Sequence, residues 1–415
     1  MSVIKPFRAL RPRRDMAAKV ASPPYDVLNS EEARAIAASN PWSFLHVNKP
    51  EIDLPPDVDV HSEAVYQKGA ENLQKFIREG VLVRDDRPGY YLYRQVMGEH
   101  VQTGLVALAS VDEYDRGLIK KHEFTRQEKE DDRVNHIKHL NAQVGPVFLT
   151  YKHQPVMDML VEEITAAEPE VDFTSDDGIR HVVWPVFDET HIQGITQVFS
   201  SLDAMYVADG HHRSASASRI RAMRQAENPN HTGEESYNYF LNVIFPDNEM
   251  QIMDYNRVVK DLNDLTVSAF LEAVEIAFDV RRLGKNGFKP MERHSFVMYL
   301  EGEWYLLNAH DDIIDENDPV GRLDVSILQE NLLHPILGIG DPRKDSRIDF
   351  VGGIRGLEGL QKRVDSGEMA VAFALYPTSI DELMAIADAG KVMPPKSTWF
   401  EPKLRSGLFI HPLDD

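Results

Sequence analysis

The chain has 415 residues, 42% hydrophobic and 27% charged, the balance of a globular protein with room for two or more compact units. Its formal net charge of −22 repels polyphosphate backbones and argues against nucleic acid as a main partner, while the lack of any cysteine excludes disulfides, thiolate catalysis and thiolate-bound zinc or iron–sulfur sites. No apolar run approaches bilayer-spanning length, and the basic start "MSVIKPFRALRPRRDMAAKV" lacks a signal-peptide core; a cytoplasmic protein with no membrane partner is expected, its oligomeric state left open.

In chain order, "SPPYDVLNS" reads as a rigid turn, and Ser30 is expected to cap the short helix "SEEARAIAAS". Helical spacing of Ala70, Leu73, Phe76 and Ile77 predicts a helix over 64–79 that stops at Gly80. "GYYLYRQVM" and "VQTGLVALASV" predict a hairpin. The charged stretch that follows, "DEYDRGLIKKHEFTRQEKEDDRVNHIKHL", is too polar for the core, and its second half is expected to be a solvated helix carrying His136 and His139 on its surface. "GPVFLTY" reads as a buried strand, "PVMDMLVEEITAA" and "HIQGITQVFSSL" as amphipathic helices, and "AMYVA" as the strand before "DGHHRSASASRIRAMRQAE". Beyond these come the strand "YNYFLNVIF", the hairpin "SFVMYLEGEWYLLNA", the helical "DVSILQENLLHPIL", the strand "AVAFALY", the helix "SIDELMAIADAG" and a Pro-rich tail. Strands alternating with helices and hairpins predict a mixed α/β or α+β fold. Cuts near 150 and 285 would give an N-terminal α/β region 1–150, a region 151–285 carrying "DGHHR", and a C-terminal α/β region 286–415 with a basic tail.

Three constellations carry possible chemistry. In "VADGHHR" a strand ends at Asp209 and a helix starts near His211, so orphan amide donors and the positive dipole end sit beside two imidazoles and Arg213. Gly210 lets backbone approach an anion closely, Arg213 offers a bidentate fork, and Asp209 is placed to hold a metal or a substrate hydroxyl. The alternative is a turn that merely starts a helix. In "KKHEFTRQEKEDDR", His122 and Glu123 are candidate bases, with a solvated charged loop as the plain alternative. In "PPKSTWFEPKLRSG", Lys396, Ser397 and Thr398 offer a charge and two hydroxyls, repeated by Lys403, Arg405 and Ser406; a strap anchored by Trp399 and Phe400 explains the segment equally well. Asn256 and Arg257 of "DYNRVV", Arg343, Lys344 and Arg347 of "GIGDPRKDSRIDFVGG", and Tyr25 and Asp26 of "PPYDV" are lesser candidates.

Taken together, "SPPYDVLN", "NPWSFLHVNKPEIDL", "KKHEFT…KEDDR", "ADGHHR", "YNRVVKDL", "GIGDPRKDSRIDFVGG" and "PPKSTWFEPKL" resemble a bacterial family known as domain-of-unknown-function family number 1015. "DGHHR" by itself is similar to the phosphate-binding turn of the ParB/sulfiredoxin-like superfamily, one branch of which contains free-serine kinases. That resemblance implies a ParB/sulfiredoxin-like core around the strand-to-helix turn, with large additional α/β segments. It places Gly210, His211, His212 and Arg213 at nucleotide phosphates, Asp209 near substrate or metal, and Glu123 as the base. ATP or ADP with Mg2+ would be the cofactor, and a small hydroxyl metabolite, L-serine first, the substrate. The other readings are a ParB-like nucleotide-binding switch or nucleic-acid module, and a zinc hydrolase using His122, His211 and His212. If phosphoryl transfer is the activity, the site needs shielding from water, and Lys396, Ser397 and Thr398 are the expected cover.

Overall fold

The β-rich runs on either side of Gly98 and Glu99 pair as the central hairpin of a nine-stranded sheet in the computed structural model, which describes residues 2–414. Its strands are β1 (Ile4–Lys5), β2 (Tyr90–Met97), β3 (His100–Ser110), β4 (Ile119–Lys120), β5 (Val147–Tyr151), β6 (Val171–Thr174), β7 (Arg180–Val186), β8 (Met205–Asp209) and β9 (Tyr239–Pro246). They lie in the order β4-β8-β5-β9-β3-β2-β7-β6, with β1 beside β3. Only β4–β8 and β5–β9 are parallel pairs; the other neighbours are antiparallel.

Alternation decides the layers. Leu105, Ala107 and Ala109 of β3, Val147 and Leu149 of β5, and Met205 and Val207 of β8 enter one core. Met157 and Ile164 of helix α1 (Pro155–Thr165) and Ile195 and Phe199 of α2 (Glu189–Ser200) cover that face. A second cluster gathers Phe44, Leu73, Phe76 and Leu140. Leu73 and Phe76 belong to Glu63–Arg78, the helix expected over 64–79, and Leu140 ends Gln127–Leu140. Two readings need correction. Asn29, not Ser30, caps the short helix Ser30–Ala37, because its side chain takes the Glu32 amide while Glu32 returns to the Asn29 amide. His136 is buried, not on the surface: its Nε2 is 2.9 Å from the Val47 carbonyl, so the charged helix turns this polar residue inward.

The chain forms two units, one of residues up to Met250 together with Pro402 onward, the other of Gln251–Glu401. The second has its own six-stranded sheet. Its strands are β10 (Tyr255–Val259), β11 (Phe278–Gly284), β12 (Ser295–Leu300), β13 (Glu303–Ala309), β14 (Ile348–Gly352) and β15 (Val371–Leu375), ordered β11-β13-β12-β15-β10-β14 and antiparallel throughout. Leu360 of the helix Gly356–Asp365 packs on Val258, Val297 and Ala372 in a separate core. The expected cuts near 150 and 285 do not match these units. Residue 150 falls inside β5, hydrogen-bonded on both edges, and residue 285 follows β11 inside the second sheet. A linear reading of composition misses the return of the tail from Pro402 to the first unit, because pairing across sequence is not written in local composition. The fold is mixed α/β. Among the described residues, no helix is long and apolar enough to cross a membrane.

Candidate functional site

The site grows from the end of β8. Its register against β5 shifts between Val207 and Asp209, a bulge that turns the chain out of the sheet. Gly210 follows at φ 97°, the left-handed region that an L side chain adopts only under strain. A Cβ there would also lie 3.3 Å from the Arg213 guanidinium and 3.4 Å from the Val147 Cα. Helix α3 (His211–Glu227) starts at this turn, and no side chain caps it. Its first-turn amides and positive dipole end therefore face outward from the strand end.

Four charged groups surround the turn. Arg213 folds back, donating through Nη1 to the Pro146 carbonyl and through Nη2 to Asp26 Oδ2 at 3.5 Å. Asp209 Oδ1 is 4.0 Å from the same Nη2, and Arg213 Nε is buried without a partner. Burial works against the Arg213 charge, but Asp26 and Asp209 outweigh it and raise the pKa. Lys403, from the returning tail, donates to Asp209 Oδ2 at 3.1 Å. Burial would push the Asp209 carboxyl up, but Lys403 and then Arg213 hold it well below the usual carboxylate range.

Beside these ions lies a histidine pair. The rings of His122 and His211 meet edge to face, centroids 4.5 Å apart. Both are buried, and neither ring nitrogen of His122 nor Nε2 of His211 makes a hydrogen bond of normal geometry. Burial pushes His122 down to about 4 and, with the neighbouring His122, pushes His211 well below the imidazole range, so both are neutral at pH 7. Glu123 Oε2 is 3.7 Å from His211 Nδ1, and the Glu123 side chain is half exposed. His212 points elsewhere: its Nε2 accepts the Arg126 backbone amide at 3.1 Å.

Behind the turn lies a cavity of about 30 Å³ lined by Tyr25, Asn48, Arg133, His136 and Arg213. It has room for water and none for a nucleotide. Tyr25 lines it with the Arg133 guanidinium 3.9 Å from the ring centroid.

The structure thus brings together Asp209, Gly210, His211, Arg213, His122 and Glu123. Two expectations fare differently. Asp209 does not fit a metal, because its two oxygens already face Lys403 and Arg213. The zinc set His122, His211 and His212 does not assemble, since His212 is engaged by Arg126; Glu123 stands in its place. Lys396, Ser397 and Thr398 belong to the second unit. There the Lys396 ammonium lies 5.6 Å from the Tyr255 ring centroid, the Lys396 carbonyl accepts from Arg257 at 3.0 Å, and Ser397 Oγ donates to the Pro394 carbonyl at 2.6 Å. Arg343 and Arg347, also in that unit, pair with Asp341 and Asp261. Lys403 and Asp26 were legible only as a basic tail residue and a turn residue. The signal for both was their motifs, but their meeting at Arg213 and Asp209 depends on folding.

The family model described as "Protein of unknown function (DUF1015)" matches residues 4–326. None of the curated proteins matches the chain. Among solved structures, a free serine kinase mutant in complex with AMP is 13% identical with a TM-score of 0.35, the match covering 71% of this chain and 86% of that one. A conserved hypothetical protein from Pyrococcus furiosus is 14% identical at TM-score 0.33, covering 72% and 93%. SbnI with a C-terminal truncation from Staphylococcus aureus is 12% identical at TM-score 0.37, covering 71% and 82%. All three likenesses are distant.

Proposed function

The chain belongs to the family described as Protein of unknown function (DUF1015), and from that premise we propose that it is a nucleotide-dependent phosphotransferase acting on a small hydroxyl-bearing metabolite, with free serine the first acceptor to try. One observation carries the reading: an uncapped helix start, a left-handed glycine, Arg213 and Lys403 converge on one strand end. That is an anion cradle. The amides of His211, His212 and Arg213 are the donors, and Arg213 and Lys403 supply positive charge close to it. An arriving phosphate displaces Asp26 from Arg213, since that contact is long and Asp26 is partly exposed.

Phosphoryl transfer asks mainly for positioning and neutralisation of charge. Asp209 holds Lys403 in place, and Pro146 holds Arg213. The acceptor oxygen attacks phosphorus as the bond to the departing nucleotide oxygen breaks, and the acceptor's hydroxyl proton passes to Glu123. His211 Nδ1 lies 3.7 Å from that carboxylate. ATP or ADP supplies the phosphoryl group. Asp209 does not fit Mg2+, so a magnesium ion would have to arrive on the phosphates themselves; it would supply further charge neutralisation.

The test is calorimetric titration with ATP, ADP, AMP and pyrophosphate, followed by phosphorus NMR with serine and Mg2+ present. Micromolar nucleotide affinity and a new phosphomonoester signal are expected. Nucleotide binding without acceptor-dependent turnover would favour the nucleotide-binding switch. No nucleotide affinity at all would overturn the reading.

A further inference from the structure

His122 and His211 pose a physical problem that phosphate binding leaves unsolved. Buried polar atoms nearly always have partners, yet three ring nitrogens of this pair make no hydrogen bond of normal geometry. The two rings meet at 89°, so they are not stacked, and the carboxylate of Glu123 closes the third side. One ligand atom from each of His122, Glu123 and His211 lies within 4.8 Å of the others.

We propose that His122, Glu123 and His211 bind a borderline divalent cation, Zn2+ or a first-row relative such as Co2+. Two imidazole nitrogens and one carboxylate oxygen suit these ions, whereas Mg2+ prefers oxygen ligands and keeps its waters. The donors are at hand: both imidazoles are buried, and His122 holds two ring nitrogens without a hydrogen bond of normal geometry. A cation would satisfy a nitrogen that now lacks a partner on His122. Bonds of about 2.0–2.2 Å in a tetrahedral set place the ligand atoms of one ion roughly 3.4 Å apart, so the three must close in from separations of up to 4.8 Å. Glu123 can supply that movement, being half exposed and in the loop between β4 and the helix Gln127–Leu140, and it gives the ion an entry path from solvent. Three protein ligands leave a fourth position open to water or to a ligand oxygen. His211 opens α3 two residues before Arg213, so the cation would sit on the turn that carries the proposed phosphate site.

Metal binding does not rest on phosphoryl transfer. Its one consequence for that reaction is competition: a bound cation occupies Glu123, so Glu123 is ligand or base, and borderline metals inhibit transfer that relies on it.

The experiment titrates chelator-stripped full-length protein with Zn2+ by calorimetry and with Co2+ by visible absorption at constant pH. One equivalent is expected, with a Co2+ d–d band that millimolar Mg2+ does not displace. Glu123→Gln, which alters an exposed side chain and should fold normally, is expected to weaken Zn2+ at least tenfold, and His211→Asn to remove the Co2+ band; His153→Gln, at a partly exposed histidine paired with Asp158 away from this cluster, serves as a control without effect. No stoichiometric binding by the wild type overturns the proposal, as does equal affinity in Glu123→Gln. Nucleotide titration of the stripped protein separates the two readings. Metal without nucleotide binding sinks only the phosphate reading; nucleotide without metal binding sinks only this one.

Discussion

The first unit buries histidines where the second, among the described residues, buries none, and protons act on those histidines and on the second unit's Asp324 in opposite directions. Every buried histidine among the described residues lies in the first unit: His122, His136, His181, His211 and His411. Burial pushes His122 to about 4, and His136 and His181 to about 3, with the nearby Arg133 and Arg405 guanidinia adding to the effect on the latter two. The second unit instead buries Asp324, which burial pushes up to about 7, with Glu382 adding to the rise; the His294 amide and Arg293 oppose it. It also buries Arg257, lowered to about 10 by burial and bonded to the carbonyls of Tyr255 and Lys396. A buried neutral base and a buried neutral acid are both kept uncharged by burial, but acid charges the first and spares the second. The comparison teaches that the unit carrying the candidate site holds its imidazoles as neutral donors at the cost of acid sensitivity.

The largest expected effect tests that contrast directly. A histidine with a depressed folded pKa binds its proton first in the unfolded chain, so its contribution is intact above pH 6.5 and is lost as pH falls toward 4. Between pH 7 and 5 that amounts to about 2 kcal/mol for each fully buried histidine. For Asp324 the sign reverses: the folded state holds the proton between roughly pH 4 and 7, so acidification stabilises the second unit by about 2 kcal/mol. Hydrogen exchange read by mass spectrometry at both pH values, converted to opening free energies, should show protection falling in the first sheet and rising around Asp324. Asp324→Asn should abolish the rise. Equal loss in both units would break the contrast.

Turnover comes next. Glu123→Gln in metal-free protein should lower kcat about 100-fold with little change in nucleotide affinity, since a base acts chiefly in the transition state. Steady-state kinetics with saturating nucleotide would show it. A fully active variant would move the proton to His122 or elsewhere.

Two arginines then separate binding from scaffolding. Arg213→Ala should weaken nucleotide binding by about 2–4 kcal/mol, the scale of a lost charged hydrogen bond. It should also lower stability, because the guanidinium ties Pro146 to Asp26. Arg257→Ala should lower the stability of the second unit and leave nucleotide affinity unchanged. Calorimetry and urea unfolding on both variants would decide, and equal nucleotide affinity in wild type and Arg213→Ala would remove the cradle.

The smallest effect belongs to Gly210→Ala, for which φ 97° predicts a strain of about 1–2 kcal/mol. Its midpoint in thermal unfolding should fall by a few degrees, whereas an unchanged midpoint would mean the turn relaxes without loss.

Local patterns made most elements readable. The β-rich run "GYYLYRQVM" gives β2, helical spacing gives Glu63–Arg78 within a residue at each end, and an apolar run ending in Asp-Gly gives the β8-to-α3 turn. These depend on neighbours three or four positions away, which sequence displays. The cap of the short helix Ser30–Ala37 was misplaced by one residue, because Ser30 and Asn29 are both good caps and only the geometry of Glu32 chooses. His136 was read as exposed because its helix is otherwise charged; its carbonyl partner, Val47, lies 89 residues away.

The sequence by itself determined the mixed α/β character, the lack of thiol chemistry and the strand-to-helix turn at Gly210, since each follows from residue type and short-range spacing. Only the tertiary structure decided that the tail from Pro402 returns to the first unit, that Lys403 rather than a metal faces Asp209, and that Glu123 rather than His212 joins the two histidines. Lys403 and Asp209 are 194 positions apart, and His211 and Glu123 are 88 apart by their numbers. Such pairs are fixed by strand order and by what the sheet leaves uncovered, and by the electrostatics of burial, which exist only once the chain has excluded water.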